Sequence, residues 1–155
     1  MKIFHLYELL KYQTQKFPKD IFITFREIDY TYSDVMYQVE LLSHFFNQLP
    51  VNGKVIVSFK NSPLFIIVIF SLSKINALPI CINPLFTISE MEEIITSSEA
   101  EYIITGADND IKIINCKTHE SVTYTITAEK NHSLECCDGV SPDPYEEAIC
   151  FYTSG

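Results

Sequence analysis

The stretch AICFYTSG, residues 148–155, is where residue types and spacing point most directly to chemistry. An apolar run opens into Thr153, Ser154 and Gly155. A loop that follows a buried strand can turn several backbone N–H groups toward one anion. Glycine permits the dihedrals this needs, and Thr and Ser hydroxyls add donors. A polyphosphate is the natural guest of such a cradle. The same three residues also occur in ordinary turns, so the elements that would position them have to carry the argument.

Other chemistries have weaker footholds. There are five cysteines, at 81, 116, 136, 137 and 150: an odd count, with no C-x-x-C and two adjacent. This is not a disulfide framework. Cys81 and Cys150 sit in apolar runs and are expected to be core thiols. Cys136 and Cys137 fall in a stretch that reads as a loop, with a redox pair as the sharper alternative. The four histidines are far apart, none with a partner at ligand spacing, so no metal site is expected.

The 155 residues are 47% hydrophobic, enough for one domain with its own core. The net charge of −9 is unevenly spread. Through Lys74 there are eight basic and six acidic residues; beyond it there are three basic and fourteen acidic. That balance argues against nucleic acid or anionic membranes as partners. The N-terminal MKIFHLYELLKYQTQKFPKD scatters its charges and has no signal-peptide apolar core. The longest apolar run, PLFIIVIFSL at 63–72, is shorter than the roughly 20 residues a membrane span takes. A soluble, cytoplasmic protein is the expectation.

The chain then divides into alternating elements. Residues 5–16 read as a helix with Leu6, Leu9, Leu10 and Gln13 on one face, ended by Phe17-Pro18. IFITF (21–25) reads as a strand that a turn at 26–29 sends back through Tyr30 and Thr31. TYSD (31–34) fits a capping box, and Val35, Val39, Leu42, Phe46 and Leu49 make the stripe of a helix over about 33–48. A turn around Gly53 leads to VIVSF (55–59), apolar enough for a sheet covered on both faces. Ser62-Pro63 is an N-cap with proline at the first helical position. The following stretch to Lys74 should be a buried helix that Asn76 stops in the left-handed region. LPICI (78–82) is the next strand. TISE (87–90) caps a helix with Ile88, Met91, Ile94 and Ile95 inward, and EYIIT (101–105) is a third strand.

Strand, 18-residue crossover, strand is a βαβ unit, expected to be parallel and right-handed. The fold class predicted is therefore α/β, a largely parallel sheet with crossover helices in which strands 55–59, 78–82 and 101–105 are adjacent. IKIIN (111–115) and VTYTIT (122–127) read as later strands, 129–147 as a loop, and AICFY (148–152) as a return to the sheet. Val39, Leu42, Phe46, Val57, Ile66, Ile69, Phe70, Ile80, Ile82, Ile94 and Ile103 are the expected core.

From about Phe4 to Gly155 the order of these pieces resembles the N-terminal part of the adenylate-forming enzymes: acyl-CoA synthetases, peptide-synthetase adenylation domains and luciferases. YTYSDV is similar to that family's Thr-Tyr-x-Glu/Asp-Leu helix entry. VNGKVIVSFKNSPLF resembles its Gly-Asp-x-Val strand followed by Asn-Ser-Pro, with Lys54 where the family has Asp. KINALPICINPLFTISEMEEIITSSEAEYIIT looks like its Lys-x-Gly-Ala…Pro-x-Asn-Pro segment, with Asn76 in place of Gly. AICFYTSG is similar to the strand entering the family's phosphate loop, Tyr-Thr-Ser-Gly-Thr-Thr-Gly-x-Pro-Lys-Gly.

The resemblance implies ATP with Mg as co-substrate, a carboxylic acid as the small-molecule partner, and a thiol such as coenzyme A as acyl acceptor. It assigns Thr153, Ser154 and Gly155 to the start of the ATP phosphate loop, with no catalytic or metal-binding residue in this chain. Residues 1–155 would be a single incomplete α/β domain, cut inside that loop, with the remainder of the enzyme as structural partner. Alone it is expected to bind ATP negligibly and catalyse nothing. The 79–105 stretch looks more like a fatty acyl-CoA synthetase than a peptide-synthetase domain. Both readings stay open, as does a vestigial α/β module without chemistry.

Overall fold

A computed structural model describes residues 5–51 and 53–126, together with the backbone of Cys150 and Phe151. Helix α1 spans Leu6–Lys16 and leads into the hairpin β1 (Ile21–Phe25) and β2 (Ile28–Thr31). The two-residue turn places Arg26 at φ 50° and Glu27 at φ 65°. Positive φ at both positions gives a turn whose twist matches the two strands.

Helix α2 (Tyr32–Gln48) begins at the capping box the sequence announces. Thr31 Oγ1 accepts from the Asp34 amide at 3.1 Å, and Asp34 Oδ2 accepts from the Thr31 amide at 2.9 Å. Strand β3 (Lys54–Ser58) precedes α3 (Pro63–Lys74), which opens on the Ser62 cap; Asn76 stops the chain at φ 58°, as its tolerance of that region allows. Strand β4 (Leu78–Ile82), helix α4 (Ile88–Ser98) and strand β5 (Tyr102–Ala107) follow, α4 opening on the Thr87–Glu90 capping box. Strands β6 (Asp110–Asn115) and β7 (Ser121–Thr125) are antiparallel additions, and β8 is the pair Cys150–Phe151.

The main sheet has the order β7-β6-β5-β3-β4-β8. Strand β3 pairs in parallel with both β4 and β5, and β4 pairs in parallel with β8. The three predicted parallel strands are thus neighbours, with the first of them in the middle. The loop expected at 129–147 lies outside the described residues.

Helices α1, α2 and α3 cover one face of the sheet and α4 the other. Alternation along β3 serves both cores: Val55 and Val57 join the α1–α3 side, Ile56 the α4 side. Helices α2 and α3 meet through two fully buried serines. Ser43 Oγ donates to the Val39 carbonyl at 2.5 Å and Ser71 Oγ to that of Ile67 at 2.7 Å. Each hydroxyl is satisfied within its own helix, so two small polar side chains sit between helices at no unpaired cost.

Three expected core residues, and two others expected on the inward faces of their helices, are less enclosed than the sequence implied. On α3, Leu64, Ile67, Val68, Ser71 and Leu72 are buried, whereas Ile66 and Phe70 are half-buried, Phe70 at the margin of the main core. Phe70 there meets the Phe22 ring edge-on at 6.0 Å. Ile103 is half-buried, packed against the smaller core on the α4 side. Ile88, the first residue of α4, is 80% exposed, since the helix approaches the sheet only from Met91 onward. Leu9 also points outward at 45% exposure; α1 buries Tyr7 and Leu10 instead. The remaining expected core residues, Val39, Leu42, Phe46, Val57, Ile69, Ile80, Ile82 and Ile94, are buried.

Candidate functional site

Parallel strands put all their carboxyl ends on one edge of the sheet, and ligands of open α/β sheets gather there. Strand β8 shares that direction: Cys150 pairs with Ile80 and Phe151 with Cys81. Thr153, Ser154 and Gly155 follow β8 in the chain but lie outside the described residues. Their role as a phosphate cradle therefore rests on their types and order alone.

Along the same edge the described residues form a cleft of about 1160 Å³. It opens where the connections diverge. After β3 the chain rises through Lys60, Asn61 and Ser62 into α3, while after β5 it turns back at Asp108 and Asn109 into β6. The β1–β2 hairpin and the first turns of α2 form the opposite wall. Phe25, Ile28, Tyr30, Leu64 and Ile67 supply apolar lining, and Arg26 and Lys60 supply positive charge.

Sequence reading missed this cleft. It expected β3, β4 and β5 to be adjacent but could not order them, and the point of divergence exists only once β3 lies between the other two. The signal that could have marked it is Ser62-Pro63, a helix start immediately after a buried strand.

No group of three or more His, Cys, Asp or Glu able to hold a metal ion occurs among the described residues. Cys81 is buried, as expected, while the side chains of the other predicted core thiol, Cys150, and of Cys136 and Cys137 lie outside the described residues. Cys116 is free and half-buried; burial, then the charge of Glu101, pushes its thiol up, which suppresses the nucleophilic thiolate. Glu90, fully exposed, is held below the usual carboxylate range by the hydrogen bonds of its capping box. Among the described residues no helix is long and apolar enough to cross a membrane.

The model of the AMP-binding enzyme family matches residues 10–155. The chain belongs to that family. Solved structures with the same fold include the N-terminal subdomain of NpsA from Klebsiella oxytoca, at 20% identity and a TM-score of 0.63, over 65% of this chain and 27% of that one. An artificially fused adenylation-PCP di-domain of NpsA and ThdA matches over 68% of this chain and 20% of that one, at 20% identity and a TM-score of 0.63. VinN matches at 13% identity and a TM-score of 0.60, over 63% of this chain and 27% of that one. A search of curated proteins gave no match. The chain spans between a fifth and just over a quarter of the length of these solved proteins, and its sheet with helices on both faces shares their fold.

Proposed function

We propose that this chain is the N-terminal segment of an AMP-forming carboxylate ligase whose catalytic site is completed by further polypeptide. The observation that carries the reading is the family match over 10–155, ending on the strand and the Thr153-Ser154-Gly155 sequence that would start an ATP phosphate loop. In the reaction a carboxylate attacks the α-phosphate of ATP and pyrophosphate leaves; a thiol then takes the acyl group from the adenylate and AMP leaves. Mg would be carried by ATP. Three backbone amides and two hydroxyls at 153–155 are a donor set suited to phosphate oxygens, and their part would be to hold and orient the β- and γ-phosphates.

The acid we propose is a fatty acid and the acceptor coenzyme A, on the look of residues 79–105. A peptide-synthetase adenylation segment is the second reading, favoured by structural neighbours that include the NpsA–ThdA adenylation-PCP di-domain. The setting we propose is the cytoplasm.

The test is carboxylate-dependent ATP–pyrophosphate exchange, with fatty acids and amino acids as alternative substrates. The 155-residue chain should show none. A protein extended through the complete phosphate loop and the following domains should show exchange, with fatty acids preferred. Exchange with amino acids alone would move the assignment to the second reading. Exchange by the 155 residues alone would refute the incomplete-site proposal.

A further inference from the structure

Leu85 and Ile88 are the most exposed large apolar side chains among the described residues, each 80% exposed, ahead of Ile21 at 57%. Both stand at the start of α4, and local bonds hold the backbone there. Asn83 Oδ1 accepts from the Leu85 amide at 2.9 Å, and the Asn83 carbonyl accepts from the Phe86 amide at 3.2 Å. The Thr87–Glu90 capping box then fixes the first turn of the helix. Phe86 and Met91 pack against the smaller core, so the chain on either side of Ile88 is anchored while Leu85 and Ile88 project into solvent. Apolar side chains scattered singly on a surface are ordinary; a pair three residues apart, held outward, marks a contact surface.

The charge around the pair has one sign. Between Ile75 and Ile111 the chain carries Glu90, Glu92, Glu93, Glu99, Glu101, Asp108 and Asp110 and no Lys or Arg. Glu90 is committed to the capping box, accepting from the Thr87 amide and hydroxyl. Glu92 and Glu93 are exposed, and the ion pair recorded among the described residues, Lys74–Glu40, lies elsewhere. Glu92 follows Ile88 by four positions and so shares its side of α4, one turn on. Anionic lipid, nucleic acid and a second copy of this acidic chain would all bring charge of the same sign to this surface.

We propose that Leu85, Ile88 and the outer face of α4 dock a cationic amphipathic helix of a partner protein. Its apolar residues cover Leu85 and Ile88, and its lysines or arginines, one turn away, meet Glu92 and Glu93. A helix suits an exposed helix face because side chains four apart form a ridge that packs into the facing groove. The apolar pair supplies the contact that excludes water, and the carboxylates choose the partner by sign of charge. The surface uses neither ATP nor residues 153–155, so it stands or falls separately from the ligase reading.

The experiment titrates the 155-residue chain with a helical peptide of about 18 residues, leucine along one face and lysine flanking it, and follows the backbone amides by NMR. Saturable shifts should concentrate at residues 83–96. Leu85→Ser/Ile88→Ser should weaken binding about tenfold. Glu92→Gln/Glu93→Gln should weaken it about fivefold and flatten its salt dependence. All four side chains are exposed, so both variants should otherwise keep the parent's spectrum. Glu99→Gln/Glu101→Gln removes the same charge just beyond the far end of α4 and should leave binding within about twofold. The same peptide with glutamate in place of lysine should not bind. Absence of saturable shifts, shifts spread over the whole acidic surface, undiminished binding by the Leu85/Ile88 variant, equal losses in the two glutamine variants, or equal binding of the glutamate peptide would each overturn the proposal.

Discussion

The Tyr7 hydroxyl donates to Glu40 Oε1 at 2.6 Å, joining α1 to α2 across 33 positions of sequence. Glu40 Oε2 takes Lys74 from α3, so a single carboxylate ties three helices together. The ammonium of Lys74 also lies 5.2 Å from the centre of the Tyr7 ring. Beneath this knot the Tyr7 amide donates to Ser73 Oγ at 3.1 Å, and His5 Nδ1 lies 2.6 Å from the same oxygen.

Removing the hydroxyl should loosen α1 before the rest of the fold. Hydrogen bonds to charged groups contribute roughly 1.5–3 kcal/mol, and Glu40 is about a quarter exposed, which trims that figure. Tyr7→Phe is expected to lower stability by about 1–2 kcal/mol in urea denaturation. Amide exchange should rise first in α1. Lys74→Met should cost less, because partly exposed ion pairs are worth roughly 0–1 kcal/mol. A Tyr7→Phe protein with the parent's midpoint and α1 protection would show the bond to be idle.

Two phenylalanines separate apolar character from burial. Phe46 is fully enclosed between α2 and its neighbours, whereas Phe70 is half-buried at the margin of the same core, against the Phe22 ring. Phe46→Ala should cost roughly 3–5 kcal/mol, the range for a large enclosed side chain. Phe70→Ala should cost clearly less, since water already reaches part of its ring. Equal losses in denaturant melts would mean that the Phe70 ring is as enclosed in solution as that of Phe46.

That contrast marks what the sequence could and could not convey. Periodicity and caps located α2, α3 and α4 nearly to the residue, because Thr31, Ser62 and Thr87 each satisfy orphan amides by a local rule. On α2 the apolar stripe also gave the buried face. On α3 it could not: the helix is apolar all round, so only the positions of α2 and the sheet decide that Ile67 is enclosed and Ile66 is not. The cleft was illegible for the same reason. Arg26 and Lys60 are 34 positions apart, and a non-local strand order brings both to one cavity. The phosphate-loop sequence at 153–155 was legible only as residue types in order.

Stability should fall at alkaline pH through two side chains. Cys116 is pushed above its ordinary 9.0 by burial and then Glu101, and Tyr124 above its ordinary 10.0 by burial and then Tyr37. A group whose folded value is raised favours the folded state while it keeps its proton. Its contribution is complete below the ordinary value and is lost as pH rises through the raised one. Urea midpoints should therefore decline from about pH 9 upward, and Cys116→Ser should flatten the first part of that decline. Glu90 works in the opposite sense: its lowered value adds stability above pH 4.5 that disappears as pH falls through the lowered value. A Cys116→Ser profile identical to the parent's between pH 8 and 10 would contradict the thiol's part.

Two glycines should answer the same substitution differently. Gly53 sits at φ 63° with nothing within 4 Å of where a Cβ would be, so Gly53→Ala meets only the left-handed penalty, roughly 1–2 kcal/mol. Gly106 has no such dihedral, but a Cβ there would lie 2.1 Å from the Asp110 carbonyl oxygen and 2.9 Å from Phe59 Cε1. The Phe59 ring could shift. The Asp110 oxygen belongs to the backbone of β6, in which Asp110 pairs with Ala107 and Ile111 with Gly106, so relief requires opening the β5–β6 turn. Overpacking typically costs about 1–3 kcal/mol and more where backbone must move. Gly106→Ala is therefore expected to exceed Gly53→Ala in urea denaturation, and to lose amide protection at 105–111 while β3 and β4 keep theirs. Equal losses for the two alanines, with 105–111 still protected, would show that the turn relaxes without opening.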